Sequence, residues 1–177
     1  MRNTMRNLLA AGTAALLIAG CGQGGSGSAE TAGTAGTGTA EGLAALVATG
    51  LPAQAVDVAA AKKDTADGQD VVLVGRVKDF VDGVSVLTLA DEALEDCSRK
   101  PDDHCPTPWD YCCVPPDQLA AGLATVKLVA AHGEPFMAGL KGVNGIDHLK
   151  QVAAEGRAVR DENGNLIVEA TRLYVKP

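Results

Sequence analysis

Five stretches of the chain carry a strand-like pattern, and short breaks separate them. Val71 to Phe80 is rich in β-branched residues and reads as a first strand. Asp82-Gly83 is a hairpin signal, and Val84 to Ala90 follows as a second strand. Ala124 to Ala130 alternates, with Ala124, Val126 and Leu128 on one face and Thr125 and Lys127 on the other, which predicts a half-buried third strand. Gln151 to Arg160 and Leu166 to Val175 are two more, joined by the tight turn Asp161-Glu162-Asn163-Gly164-Asn165. In the last strand Leu166, Val168 and Ala170 share a phase that Leu173 and Val175 do not. A bulge near Thr171-Arg172 would return all five to one core. Helical patterning is short: Val56 to Lys63, with Asp57 near its start, and a turn at Ile146 to Leu149.

The order strand, strand, strand, short helix, strand, strand is that of the OB-fold, a five-stranded, partly open barrel. Gly75 sits inside the first strand and Gly156 inside the fourth, where glycine often marks a tight barrel corner. From Gln69 to the end the chain resembles small bacterial OB-fold domains of exported proteins. The expectation is therefore a mainly β protein. Its domain over residues 51–177 is an OB-fold-like barrel with a Cys-rich insertion, residues 91–118, between strands two and three.

The N-terminus follows a different grammar. Arg2 and Arg6 precede the uncharged apolar run Leu8 to Ile18. Spanning a bilayer takes about twenty residues, so this shorter run fits the apolar part of an export signal. It ends in Leu17-Ile18-Ala19-Gly20-Cys21, which resembles the bacterial lipobox. The resemblance implies cleavage of a lipoprotein signal peptide, residues 1–20, and acylation of Cys21. Several acyl chains on one residue make a stable membrane anchor. Gly22 stands where an Asp would signal inner-membrane retention, which leans the expectation towards the outer membrane. Residues 22 to 40 are Gly, Ser, Ala, Thr, Gln and one Glu, a composition that forms no core and predicts a flexible linker. Glu41 to Val47 has the pattern of one or two helical turns, still read as linker, and the linker runs to residue 50.

Composition narrows the function. The formal charge of the 177 residues is −7, so no basic excess is available to neutralise phosphates. The five aromatics, Phe80, Trp109, Tyr111, Phe136 and Tyr174, leave little for base stacking. The loops joining strands one to two and four to five, which OB-folds use for oligonucleotides, are short here. Nucleic acid is therefore a disfavoured ligand. No Ser/His/Asp set, HExxH, P-loop or dinucleotide fingerprint occurs, so no enzyme and no cofactor is expected. The envelope haem chaperones of cytochrome maturation also use a small OB-like barrel. Their His-x-x-x-Tyr signature is missing.

Distinctive chemistry gathers in the insertion. With Cys21 assigned to the lipid, four of the five cysteines remain: Cys97, Cys105, Cys112 and Cys113. An oxidising compartment allows disulfides. Adjacent Cys112 and Cys113 seldom bridge each other, so the candidate pairings join Cys97 to one and Cys105 to the other. Each would close a loop of roughly seven to sixteen residues, worth on the order of 2–3 kcal/mol. The alternative is a metal or thiol-redox site built from Cys97, His104, Cys105, Cys112 and Cys113. The spacing Cys-x7-Cys-x6-Cys-Cys lacks the Cys-x2-Cys pairs of ordinary zinc sites and the Cys-x-x-Cys of redox motifs. Trp109 and Tyr111 pack beside the sulfurs or form a recognition surface. His132 and His148 read as surface residues, and Asp102-Asp103 as solvation of the loop. The functional expectation is a lipid-anchored envelope protein with a non-enzymatic binding or scaffolding domain and an envelope protein as partner.

Overall fold

The computed structural model describes residues 40–100 and 104–177. The expected signal peptide, Cys21, the Gly-rich stretch to residue 39 and the Asp102-Asp103 pair lie outside the described residues.

The five predicted strands are present: β3 (Asp70–Val81), β4 (Val86–Ala90), β5 (Leu123–Leu128), β6 (Gln151–Arg160) and β7 (Leu166–Val175). They close into one barrel. β3 pairs antiparallel with β4, β4 with β5, β5 parallel with β7, β7 antiparallel with β6, and β6 back onto β3. This is the OB arrangement expected from the element order. The barrel interior is a single apolar cluster that includes Leu73, Val77, Leu87, Leu89, Val126, Leu128, Val152, Val168 and Leu173.

Closure depends on two glycines. Within the barrel β3 serves two partners, β6 along Asp70–Arg76 and β4 along Arg76–Val81. Gly75 stands where the strand changes neighbours, and a Cβ there would meet the Ala90 carbonyl oxygen at 2.6 Å. Gly156 faces the irregularity in β7: Glu155 pairs with Arg172 and Gly156 with Ala170, which leaves Thr171 as the extra residue. A Cβ on Gly156 would lie 2.1 Å from the Glu169 carbonyl oxygen. The bulge at Thr171 does what the phase change in β7 required, since Leu166, Val168, Ala170, Leu173 and Val175 are all buried.

Two short strands precede the barrel, β1 (Val47–Thr49) and β2 (Val56–Asp57), together with the helices α1 (Ala40–Ala45) and α2 (Val58–Asp64). β1 pairs parallel with β7 at Leu173–Val175, and β2 pairs parallel with β3 at Leu73–Val74. In chain order the Cys-rich insertion thus joins β4 and β5. These remain the second and third strands of the closed barrel. The domain also starts earlier than residue 51: Leu43 is fully buried in the core and Val47 nearly so. One anchoring contact is the Asn144 side chain, which donates to the carbonyls of Ala44 and Val47 at 2.9 and 2.8 Å.

The helical expectations shift by a few residues. Val56 and Asp57 belong to β2, and α2 takes over at Val58. Its first turn is capped from a distance: the buried Asp91 carboxylate, at the end of β4, accepts the Ala59 N–H at 2.7 Å. Its C-terminal carbonyls accept from the Arg160 guanidinium, at Lys62 (2.6 Å) and Thr65 (2.9 Å). The helical turn expected at Ile146–Leu149 is a non-helical turn closed by the Lys150 N–H on the Asp147 carbonyl, with a separate 3₁₀ turn before it at Val143–Gly145. The insertion also holds a helix that the periodicity did not announce, α3 (Pro116–Gly122), which has Pro116 in its first turn.

Candidate functional site

The insertion leaves the barrel at Asp91 and returns through α3. What fixes it to the barrel wall is largely polar. Arg76, on β3, is 5 % exposed, and Asp96, in the insertion, is 1 % exposed. Their side chains form an ion pair at 3.1 Å. The same guanidinium donates to the carbonyls of Leu94 and Glu92, and the Ser98 hydroxyl donates to Asp96. Arg99 adds a second contact to Asp96 at 3.3 Å. Breaking a buried pair by removing one partner costs about 3–5 kcal/mol, because the other charge is left in a dry site. Tyr111 is buried beside this network and packs in a small apolar cluster with Ala90 and Leu94. Burial pushes its hydroxyl up from the ordinary tyrosine range, with the Arg76 charge partly opposing.

Two backbone hydrogen bonds fold the insertion on itself. The Cys97 N–H donates to the Asp110 carbonyl at 2.8 Å and the Ser98 N–H to the Pro108 carbonyl at 2.7 Å. They bring the 3₁₀ turn Cys97–Arg99 against the segment Pro108-Trp109-Asp110. Lys78, from the barrel, pairs with Asp110 at 3.2 Å. The Asp110 carboxyl lies below its usual range chiefly because it accepts the Tyr111 N–H, with Lys78 adding to the effect and partial desolvation opposing.

This folding gathers sulfur. The Sγ atoms of Cys97, Cys105 and Cys112 all lie within 4.8 Å of one another. Cys97 and Cys112 are 3.2 Å apart and Cys112 and Cys113 are 3.9 Å apart. A disulfide has its sulfurs at about 2.05 Å, so no disulfide is formed among these residues. Cys97 is buried, Cys105 half-buried, and Cys112 and Cys113 exposed. Hydrogen bonding with Thr107, first through its hydroxyl, draws the Cys105 thiol below the ordinary range. The Cys112 thiol is pushed up to about 12, first by its hydrogen bond with Cys97 and then by that with Cys113. Of the five residues of the alternative metal set, the structure thus brings three together. His104 is exposed beside Cys105 and lies outside the sulfur triangle, as does Cys113.

The two aromatics of the insertion separate. Tyr111 is 1 % exposed, so it cannot serve the recognition surface considered for it; its ring fills the gap between insertion and barrel. Trp109 reaches the surface and stacks on His148, with ring centroids 4.6 Å apart and planes 23° off parallel. Phe80 also meets the His148 ring, edge-on, at 5.1 Å. His148 Nδ1 lies 2.9 Å from the Lys78 carbonyl oxygen. A carbonyl only accepts, so Nδ1 is the donor in this contact. The next residue, Leu149, has φ of 62°, a left-handed conformation that costs a bulky side chain energy. Its N–H donates to the Val77 carbonyl at 2.8 Å, which holds the turn there. An open groove of about 330 Å³ runs past Trp109 and His148, bounded by Ser98, Pro108, Lys141 and Asp147.

His148 is the functional candidate that the sequence pattern undervalued. A lone histidine in a turn carries no motif, and its partner Trp109 lies far away along the chain. A larger open groove, about 580 Å³ over β3, β6 and β7, is lined by residues such as Asp70, Glu155, Arg157 and Glu169, none of them in the insertion. In comparisons with known proteins the chain matches no family model and no curated sequence.

Proposed function

We propose that this protein is a non-catalytic binding module of the bacterial cell envelope, held by lipid on Cys21, probing an envelope protein partner with the surface around Trp109 and His148. The observation that carries the reading is the stacked Trp109–His148 pair beside an open groove, with Trp109 on an insertion clamped to the barrel through Arg76 and Asp96. Tryptophan offers large contact area with few rotatable bonds, and rigid presentation keeps the entropic cost of binding low. The lipobox resemblance supports the location, at the outer membrane and facing the periplasm or the surface. The outward positions of β4 and β5, which include Val86, Thr88, Thr125 and Lys127, offer one cation and no aromatic, which supports a protein rather than an oligonucleotide as ligand. The sulfur triangle supports a second reading, a metal or thiol module.

The test has two arms. Cys21→Ser should move the protein from the membrane to the soluble fraction of cells. A photo-crosslinking amino acid at Ser98, on the rim of the groove, should give a discrete crosslinked product in cells. The same amino acid at Glu162, in the far hairpin, should not. Trp109→Ala should remove the product while leaving the melting temperature within a few degrees. Equal crosslinking at both positions would refute recognition by this surface.

A further inference from the structure

We propose that Cys97, Cys105 and Cys112 form a three-thiolate site for one soft monovalent metal ion, copper(I) being the one that fits best. The three sulfurs come from three separately anchored segments. Cys97 opens a 3₁₀ turn whose first N–H is tied to Asp110. Cys105 is held by Thr107. Cys112 directly follows the buried Tyr111. Nothing in a structural staple requires a third sulfur, since a disulfide uses two. Here all three lie within 4.8 Å of one another.

The dimensions suit an ion between the sulfurs. Metal–thiolate bonds of about 2.3 Å in a trigonal plane put the sulfurs about 4 Å apart. The observed separations are 3.2 Å for Cys97–Cys112 and no more than 4.8 Å for the other two pairs, limits between which that value lies. A cation at that position would offset the mutual repulsion of adjacent thiolates. Binding then displaces one proton from each thiol, leaving three sulfur–metal bonds and three protons in solution. Affinity therefore rises with pH.

The donor set selects the ion. Zinc in structural sites takes four ligands in a tetrahedron. The triangle supplies three, and His104 and Cys113 stand outside it. All-thiolate donors without imidazole or carboxylate favour copper(I) among the first-row ions. Cys97 is buried and Cys112 exposed, so the ion is shielded on one side and reached from the other.

The full-length chain, reduced and kept anaerobic, is titrated with copper(I) against a chromogenic copper(I) chelator. One copper per chain is expected, with X-ray absorption reporting three sulfur neighbours. Cys105→Ser and Cys112→Ser should each weaken binding by more than about a hundredfold, beyond what loss of a mere outer-shell contact costs. Cys113→Ser should leave affinity and stoichiometry unchanged. Cys105 and Cys112 are not core residues, so circular dichroism of these variants should match the parent. A loss in Cys113→Ser equal to that in Cys105→Ser would overturn the three-sulfur site. So would tighter binding of zinc(II) than of copper(I), or a Cys97–Cys112 disulfide in thiol-blocked protein recovered from cells. Trp109→Ala should leave copper affinity intact and Cys105→Ser should leave the Ser98 crosslink intact. The metal site and the binding surface therefore fail or stand separately.

Discussion

The barrel and its insertion are held together by opposite means. Inside the barrel, aliphatic side chains from all five strands meet with no charged residue among them. Between insertion and barrel, the central contact is a buried Arg76–Asp96 pair, with Tyr111, Ala90 and Leu94 as a small apolar patch beside it. Apolar burial is non-directional, so a barrel tolerates exchange of similar residues. An ion pair in a dry site is directional and fails outright when one member is lost. A single-residue change can therefore detach the insertion, whereas detaching a strand requires a change that the whole core feels.

The largest expected effect tests the insertion side. Asp96→Ala should destabilise the protein by about 3–5 kcal/mol, leaving Arg76 buried without its partner. A paired Arg76→Met, Asp96→Leu variant should recover much of that loss, measured by chemical denaturation. If Asp96→Ala cost under ~1 kcal/mol, the polar clamp would not be what holds the insertion. On the barrel side, Gly156→Ala should cost about 3 kcal/mol, because the new methyl runs into backbone at Glu169 and Ala170 rather than a side chain that can turn away. It should lower the midpoint for barrel and insertion together, seen by far-ultraviolet circular dichroism.

The smallest effect sharpens the comparison at the edge of the insertion. The Asp110 carboxyl titrates lower in the folded protein than its unfolded reference of about 3.9. A depressed carboxyl contributes stability that is present above the unfolded value and is lost as pH falls through the folded one. Acidification below about pH 4 should therefore loosen the contact with Lys78 before the barrel melts. For this part-exposed pair the contribution is under about 1 kcal/mol. Trp109, the chain's one tryptophan, reports it by fluorescence. Asp110→Asn should abolish that acid step; persistence of the step would assign it to another group.

Legibility followed the same division. The strand-like runs Gln151–Arg160 and Leu166–Val175 coincide with β6 and β7, and the phase change in β7 announced the bulge at Thr171. Gly75 and Gly156 marked two close approaches of backbone. These signals are local, because a strand facing a core writes its period into consecutive residues. The packing of Leu43 and Val47 was not legible, since β1 is three residues long and its partner is the end of β7. Nor was α3, whose short run follows two prolines. At the site, four cysteines near one another in sequence allowed several pairings and two chemistries. Their order along the chain could not say which three sulfurs converge, nor that Tyr111 turns inward while Trp109 stacks on His148.

By itself, then, the sequence determined a five-stranded barrel with its bends and bulge, and the gathering of four cysteines in one insertion. Periodicity and glycine placement are properties of neighbouring residues, so they survive being read one residue at a time. Only the tertiary structure decided the rest: the Arg76–Asp96 clamp, the Cys97–Cys105–Cys112 triangle and the Trp109–His148 stack. Each joins side chains from segments whose approach is set by barrel closure and by the hydrogen bonds that fold the insertion, and no local pattern encodes that distance.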